Sequence, residues 1–183
     1  MSNLKLEGAP TSQISKEIVD ITQKAFGFAP NMYVKMGHNP ALLDAYVYAY
    51  NSFRTNAGFN TVEQEVIFLS IAYENNCEYC ISAHSFVADM MSKVPTEVTN
   101  ALRDGSQISD VKLAALSKLT RSLTVNRGMV SQEEIHAFTA MGYNETHVLG
   151  IIAAIGIKTM SNYANHNTNP QIDAAFAGRA WKK

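Results

Sequence analysis

Cysteine, the residue with the widest reactive chemistry, is nearly absent from this sequence, which has 2 in 183 residues. Two cysteines three positions apart cannot form the disulfide framework that stabilises a small secreted domain. The longest apolar stretch, from Val148 to Ile157, is too short and too interrupted by glycine to span a bilayer. The N-terminus carries no apolar leader of the secretory kind. We therefore expect a cytoplasmic protein that does not contact membranes.

An excess of charge of either sign is also lacking. Fifteen basic and sixteen acidic residues leave a formal net charge of -1, and no block of basic residues occurs. Nucleic acids and anionic membranes bind proteins largely through such blocks, so neither is an expected partner. Hydrophobic residues make up 46% of the chain, and the length suits one domain with a substantial core.

No segment alternates apolar and polar residues with the period of two that is typical of strands. Apolar residues instead recur at helical spacing, which predicts an all-α, single-domain helical bundle of about eight or nine helices. We expect an N-terminal arm over residues 1–11, the domain over 12–169 and a weakly patterned C-terminal tail over 170–183. The first helix is expected to bury Ile14, Ile18, Ile21 and Ala25, and the last, over 144–166, to bury Val148, Ile151, Ile152, Ile155 and Thr159.

Start signals place several of these helices. Pro30 and Pro40 suit the first positions of two helices. Thr61-x-x-Gln64 and Ser131-x-x-Glu134 have the form of capping boxes. The first of these boxes predicts a helix over about 61–74, and a second helix follows from about Cys77 to Met91 after two asparagines.

The two cysteines lie at the expected start of that second helix, as Cys77-x-x-Cys80, with His84 four residues later. Residues three and four apart share a helix face, so the thiols can meet and His84 lies one turn from Cys80. A helix N-terminus also stabilises a thiolate through its partial positive charge. These features predict that Cys80 is a nucleophile of lowered pKa.

Glu65, on the preceding helix, is the expected partner of His84, because a buried carboxylate needs a compensating group. A carboxylate that orients a histidine, which in turn activates a nucleophile, is a general catalytic arrangement. We predict that His84 accepts the Cys80 proton and that the Cys80 thiolate attacks a peroxide O–O bond to form a sulfenic acid. Cys77 then condenses with it to a disulfide, which a dithiol must reduce.

The pattern E-x11-C-x-x-C-x3-H resembles that of the alkylhydroperoxidase AhpD-like branch of the carboxymuconolactone decarboxylase family. The segments G-F-A-P-N at 27–31 and N-P-A-L-L at 39–43 agree with that resemblance, which covers most of residues 12–166. It implies an all-α fold in homo-oligomers (trimers or hexamers), an antioxidant peroxidase or disulfide-reductase activity and no bound cofactor. It also implies that Cys80 is the peroxidatic cysteine and that the reductant is a thioredoxin-like or lipoyl dithiol.

One position departs from the family pattern. Its well-known members carry a histidine between the two cysteines as part of the proton relay, where this chain has Tyr79. A tyrosine can pass on a hydrogen bond but does not titrate near neutral pH. Tyr79 is therefore a candidate member of a modified relay.

Other interpretations of the same residues remain open. The cysteines can be inert core residues, or Cys77, Cys80 and His84 can bind zinc with Glu65 or a distant histidine as the fourth ligand. The dithiol can also serve as a disulfide reductase or redox sensor without peroxidase turnover. A lactone-acid decarboxylase is the third functional class, but relatives with that activity generally lack the cysteine pair.

Overall fold

Nine α-helices follow one another in residues 3–183, the part of the chain that the computed structural model describes. No β-strand occurs in that part, and the all-α prediction is confirmed. The first two residues of the expected N-terminal arm lie outside the described part. The helices are α1 Gln13–Phe26, α2 Asn31–Met36, α3 Pro40–Asn56, α4 Thr61–Glu74, α5 Glu78–Val87, α6 Thr96–Asp104, α7 Val111–Val125, α8 Gln132–Thr139 and α9 Glu145–Thr168.

Helix α4 is the centre of the molecule. Every residue from Glu63 to Ala72 is buried, and the helix packs against α5, α6, α7 and α9. A helix with neighbours on all sides is apolar around its whole circumference, as the run V-I-F-L-S-I-A at 66–72 is. Glu65 therefore projects into the protein core rather than into water, and this surrounding determines its chemistry.

The capping box of α4 is one residue earlier than the sequence predicts. Asn60 is the N-cap; its side chain accepts a hydrogen bond from the Glu63 amide at 2.9 Å, and the Glu63 carboxylate accepts one from the Asn60 amide at 3.0 Å. Gln64 instead donates its side-chain amide to the carbonyls of Arg54 and Phe59, which ties α4 to the end of α3. The second predicted capping box, Ser131 with Glu134, is confirmed.

Two predicted apolar faces are only partly correct. In α1, Ile14 and Ile21 are 51% and 66% exposed, while Ser15 is buried. In α9, Ile151 is buried but Ile152 is 47% exposed. In both helices the face that meets the core is rotated from the face with the most large apolar side chains, so hydrophobicity alone indicates the wrong stripe.

The C-terminal tail is ordered against α5. A 3-10 helix, Ala174–Arg179, packs on α5, and α5 itself continues into a π-helix at Ala88–Ser92. Among the described residues no helix is both long and apolar enough to cross a membrane.

Candidate active site

The turn between α4 and α5 fixes the positions of both cysteines. Asn75 caps α4, and Asn76 adopts a left-handed conformation with φ 53°, which asparagine tolerates better than most residues. Cys77 is then the N-cap of α5, and its amide donates to the Ala72 carbonyl at 3.0 Å. Cys80 lies in the first turn of α5, where unpaired amides favour a negative charge.

Both cysteines are free thiols and both are buried, each with 1% of its surface exposed. The amide nitrogen of Asn165, on α9, donates to both sulfurs, at 3.5 Å to Cys77 Sγ and 3.2 Å to Cys80 Sγ. The Ser161 hydroxyl lies 4.0 Å from the Cys80 sulfur. One face of α9 therefore forms the polar wall of the thiol pair.

The surroundings of the two thiols shift their pKa values in opposite directions. Burial raises the pKa of Cys80, but a hydrogen bond from Cys77 and the positive charge of Lys158 outweigh it, so that this pKa lies well below its usual value. The same hydrogen bond to Cys80, together with burial, raises the pKa of Cys77 well above its usual value. The surroundings therefore favour the thiolate at Cys80 and the thiol at Cys77, which donates to it.

Glu65 and His84 meet as the sequence predicts. His84 Nδ1 lies 2.8 Å from one Glu65 carboxylate oxygen, and Arg54 Nη2 lies 2.5 Å from the other. Burial raises the pKa of Glu65, but the pairing with His84 and Arg54 outweighs it and holds this pKa below its ordinary value. Glu65 is therefore a carboxylate at neutral pH, with both oxygens occupied.

His84 is a neutral imidazole in this environment. Its burial and the nearby charge of Lys158 lower its pKa, and these effects exceed the opposite effect of Glu65. Because Nδ1 faces a carboxylate, we place the ring proton there, where it donates to Glu65. The other nitrogen, Nε2, then accepts a hydrogen bond from Lys158 Nζ, 2.9 Å away.

Three residues of this site are far from the cysteines in sequence and were missed: Arg54 on α3, and Lys158 and Asn165 on α9. A signal for the α9 residues does exist in the sequence. The buried residues of α9 recur every three or four positions, first as Ile151 and Ala154 and then as Lys158, Ser161 and Asn165. The core-facing stripe of the helix is therefore apolar in its first half and polar in its second half. A lysine on such a stripe is a candidate for chemistry because it must be compensated inside the protein.

Tyr79 is not brought to the relay. Its side chain points from α5 toward the C-terminal segment, and its hydroxyl donates to Asp173 Oδ2 at 2.5 Å and accepts from the Met32 amide at 3.3 Å. Burial and the adjacent carboxylate raise its pKa. The geometry makes Tyr79 an anchor for the C-terminal segment.

The structure does not favour the alternative interpretation of Cys77, Cys80 and His84 as zinc ligands. Within residues 3–183, no three histidine, cysteine, aspartate or glutamate side chains are grouped so that they can hold a metal ion. His84 Nε2 is instead engaged by the ammonium of Lys158, which is a donor and not a ligand and whose charge lowers the pKa of Cys80.

The sequence matches no protein-family model and no curated protein. Among solved structures, the chain is similar to an uncharacterized peroxidase-related protein with an alkylhydroperoxidase AhpD core from Ralstonia eutropha JMP134. The TM-score is 0.84 at 19% identity, covering 99% of this chain and 98% of that one. An uncharacterized peroxidase-related protein from Silicibacter sp. TM1040 gives a TM-score of 0.81 at 18% identity, covering 97% and 95%.

A cysteine-to-alanine variant of the debrominase Bmp8, in complex with 2,3,4-tribromopyrrole, gives a TM-score of 0.75 at 18% identity, covering 97% of both chains. At these identities the likeness is one of fold. The resemblance predicted from the cysteine motif is confirmed at that level: the chain has the all-α fold of the AhpD core.

Proposed function

We propose that this protein is a thiol-dependent peroxidase in which Cys80 is oxidised by a hydroperoxide. The observation that carries the proposal is a pair of free, buried cysteines joined by a hydrogen bond. The pKa of one thiol is lowered and the pKa of the other is raised. A thiolate, not a thiol, is the nucleophile in such chemistry, and Cys80 is the cysteine that its neighbours favour as a thiolate. The fold shared with proteins described as peroxidase-related supports the same class of reaction.

The first step forms a bond between the Cys80 sulfur and the terminal oxygen of the hydroperoxide. The O–O bond breaks, the sulfur becomes a sulfenic acid, and the other oxygen leaves as an alkoxide that a proton converts to an alcohol. In the second step the Cys77 sulfur attacks the Cys80 sulfur and displaces the hydroxyl group, which leaves as water. The dithiol is oxidised by two electrons, and the hydroperoxide is reduced by two.

Glu65 and His84 form the inner part of the proton relay in this proposal. Glu65 holds the His84 ring with Nδ1–H toward the carboxylate, which leaves Nε2 directed at the thiol side of the site. His84 Nε2 therefore orients the ammonium of Lys158, whose charge favours the Cys80 thiolate. Tyr79, whose hydroxyl is engaged by Asp173, is not part of this relay.

The disulfide must be returned to the dithiol by a second dithiol, of the thioredoxin or lipoyl type. Burial of both sulfurs favours a slender reductant, such as a lipoyl arm, over the rigid surface of a folded protein. We further propose that the protein acts in the cytoplasm, where such reductants keep thiols reduced. Exposed apolar side chains on α1, α3 and α9 support assembly into a homo-oligomer, for which the family resemblance implies a trimer or a hexamer.

Peroxide consumption by single-cysteine variants tests the proposal. The wild type should consume cumene hydroperoxide or hydrogen peroxide with dihydrolipoamide as the reductant, and Cys80→Ser should lose about a thousandfold or more of this rate. Cys77→Ser should react once, gaining a single oxygen atom by mass spectrometry, and then stop because no disulfide can form. Both variants keep the size of the side chain, so each serves as a folding control for the other.

If the wild type consumes peroxide no faster than Cys80→Ser, the peroxidase proposal is wrong. A disulfide that still forms and is reduced would then favour a disulfide reductase or redox sensor. The same proteins should be assayed for bromide release from 2,3,4-tribromopyrrole, because a thiolate can also attack bromine and the debrominase shares this fold.

A further inference from the structure

Lys158 is the one residue of the site whose charge neither the motif nor the proposed relay explains. It lies in the middle of α9 and none of its surface is exposed. An ammonium group removed from water is stable only with hydrogen bonds and a compensating negative charge nearby. Its hydrogen bond to His84 satisfies one donor but brings no charge, because His84 is neutral.

Glu65 is the buried carboxylate of the site, and its charge is already compensated. Arg54 contacts one of its oxygens at 2.5 Å, and this guanidinium also bonds to Tyr50 and Gln64, so it is held in place. The charges of Arg54 and Glu65 therefore cancel. The positive charge of Lys158 remains, and the cluster is neutral only when Cys80 carries a negative charge.

The geometry of α9 brings Lys158 to that sulfur. Lys158, Ser161 and Asn165 follow one another on one face of the helix, and the latter two lie 4.0 Å and 3.2 Å from Cys80 Sγ. The positive charge of Lys158 acts on the same sulfur and lowers the pKa of Cys80. An ammonium has three donors in a tetrahedral arrangement, so it can bind His84 Nε2 and Cys80 at the same time.

We propose that Lys158 is a catalytic residue that holds Cys80 as a thiolate and then donates its proton to the oxygen that leaves the hydroperoxide. The proposal rests on the proposed peroxidase function and adds the general acid that this function lacks. A donor already beside the sulfur is close to the O–O bond that the sulfur attacks, and protonation of a leaving alkoxide is the contribution that general acids make.

The protons balance over one cycle. Lys158 gives a proton to the alkoxide and becomes a neutral amine. The Cys77 thiol then gives its proton to this amine as its sulfur attacks the sulfenic acid, and Lys158 passes that proton to the displaced hydroxide, which leaves as water. Lys158 is therefore a neutral amine in the disulfide state. Reduction of the disulfide by an external dithiol restores the thiolate, the thiol and the ammonium.

Substitution of Lys158 by methionine, which has a similar unbranched chain and no charge, tests the proposal. In Lys158→Met the cluster stays neutral with Cys80 as a thiol, so we expect a folded protein, verified by circular dichroism and thermal melting. Titration of thiolate absorbance should place the Cys80 pKa of this variant above the ordinary value of about 8.5. Lys158→Arg should keep it low. The control is Lys118→Met, which removes an exposed lysine from α7 and should behave as wild type.

The general-acid role is tested separately with two oxidants. tert-Butyl hydroperoxide loses a basic alkoxide that needs a proton, whereas peracetic acid loses acetate, which does not. With rate constants extrapolated to the fully ionised thiolate, Lys158→Met should lose about 100-fold or more with tert-butyl hydroperoxide. The same variant should stay within a few-fold of wild type with peracetic acid.

The outcomes separate the two proposals. An unchanged thiol titration together with an equal loss for both oxidants in Lys158→Met would overturn the role of Lys158, even if the wild type is an active peroxidase. A wild type that no hydroperoxide oxidises would overturn the proposed function. In that case a raised Cys80 pKa in Lys158→Met would still establish that lysine as the counter-ion of the thiolate.

Discussion

A buried neutral histidine makes the stability of the protein depend on pH. The pKa of His84 is lower in the folded chain than in the unfolded chain, chiefly because of burial and then because of Lys158. Between these two pKa values the unfolded state binds more protons, so stability falls as the pH decreases. The contribution is fully present above the unfolded value of about 6.5 and is lost progressively below it.

Unfolding by urea between pH 5 and pH 8 measures this dependence. The free energy of unfolding of the wild type should rise with pH over the lower part of this range and level off near pH 7. In His84→Gln the slope should be smaller, because the side chain no longer titrates. A wild-type stability that does not change between pH 5 and pH 7 would show that His84 does not titrate differently in the folded chain.

Glu65 stabilises the site by accepting hydrogen bonds from two groups at once, the Arg54 guanidinium and the His84 ring N–H. In Glu65→Gln the amide cannot compensate Arg54, so we expect a loss of about 3 kcal/mol in the free energy of unfolding. Peroxidase activity should fall less than in Cys80→Ser, because the thiolate remains. Glu97→Gln, in an exposed first turn of α6, is the matched control and should change neither quantity. A Glu65→Gln variant with full activity would remove the orienting role of this carboxylate.

The contact between Glu65 and His84 can be predicted from sequence, because both lie on consecutive helices joined by a short turn. Helix periodicity then determines which faces meet. Lys158 and Arg54 cannot be placed in this way, because their contacts with the site depend on how α9 and α3 pack on α4. Only the register of the polar stripe on α9 indicates in advance that Lys158 is buried.

At the scale of elements, the C-terminal segment is attached to α5 by Tyr79, a residue between Cys77 and Cys80 in the sequence. Asp173 accepts from the Tyr79 hydroxyl and from the Asn31 amide at 3.0 Å, so it joins α5, α2 and the 3-10 helix. The amide of Trp181 donates to the Ser82 hydroxyl farther along the same face of α5. The tail thus covers the helix that carries the cysteines.

Tyr79→Phe separates the anchoring role from a catalytic one. The variant removes the short hydrogen bond to Asp173 Oδ2, which keeps only the 3.4 Å contact with the Asn31 amide, and it removes the acceptor of the Met32 amide. This loss should cost about 1–3 kcal/mol in the free energy of unfolding. Amide exchange should become faster in residues 170–183, while the Cys80 pKa and the rate of oxidation stay close to wild type. Slowed oxidation without faster exchange in the tail would instead place Tyr79 in the relay.

The positions of the helices themselves are close to the sequence-based expectation, because prolines, glycines and caps act locally. The exceptions arise from tertiary contacts. The π-helix at Ala88–Ser92 continues α5 where a regular helix was expected, and the 3-10 helix at Ala174–Arg179 forms in a segment with little pattern of its own. Packing against α5 orders that segment, and the local sequence does not predict the 3-10 helix.

At the scale of the whole molecule, the apolar residues that α3 and α9 leave exposed form a groove of about 650 Å³ lined by small and apolar side chains. Tyr48 and Leu149 in its walls are 78% and 67% exposed. Exposed apolar surface of this kind is typical of contacts between proteins. It also explains why apolar patterning misplaces the core face of α9.

Light scattering after size exclusion measures the assembly that this surface supports. At micromolar concentration the molar mass should be a multiple of 20.1 kDa. Leu149→Glu should shift it toward a smaller species, since a charge buried in a contact is costly, and Lys118→Glu should not. A wild type that elutes at the mass of one chain would contradict the proposed homo-oligomer.

The burial of both sulfurs has a consequence for how fast they can react with anything larger than water. With 1% of each cysteine exposed, a bulky electrophile gains access only during transient openings of the surrounding helices. Modification by such reagents should therefore follow the opening equilibrium and show the steep temperature dependence of local unfolding, whereas a small oxidant that diffuses through the packed structure should not. This difference would shield the dithiol from exchange with bulky cellular disulfides while leaving it open to peroxide.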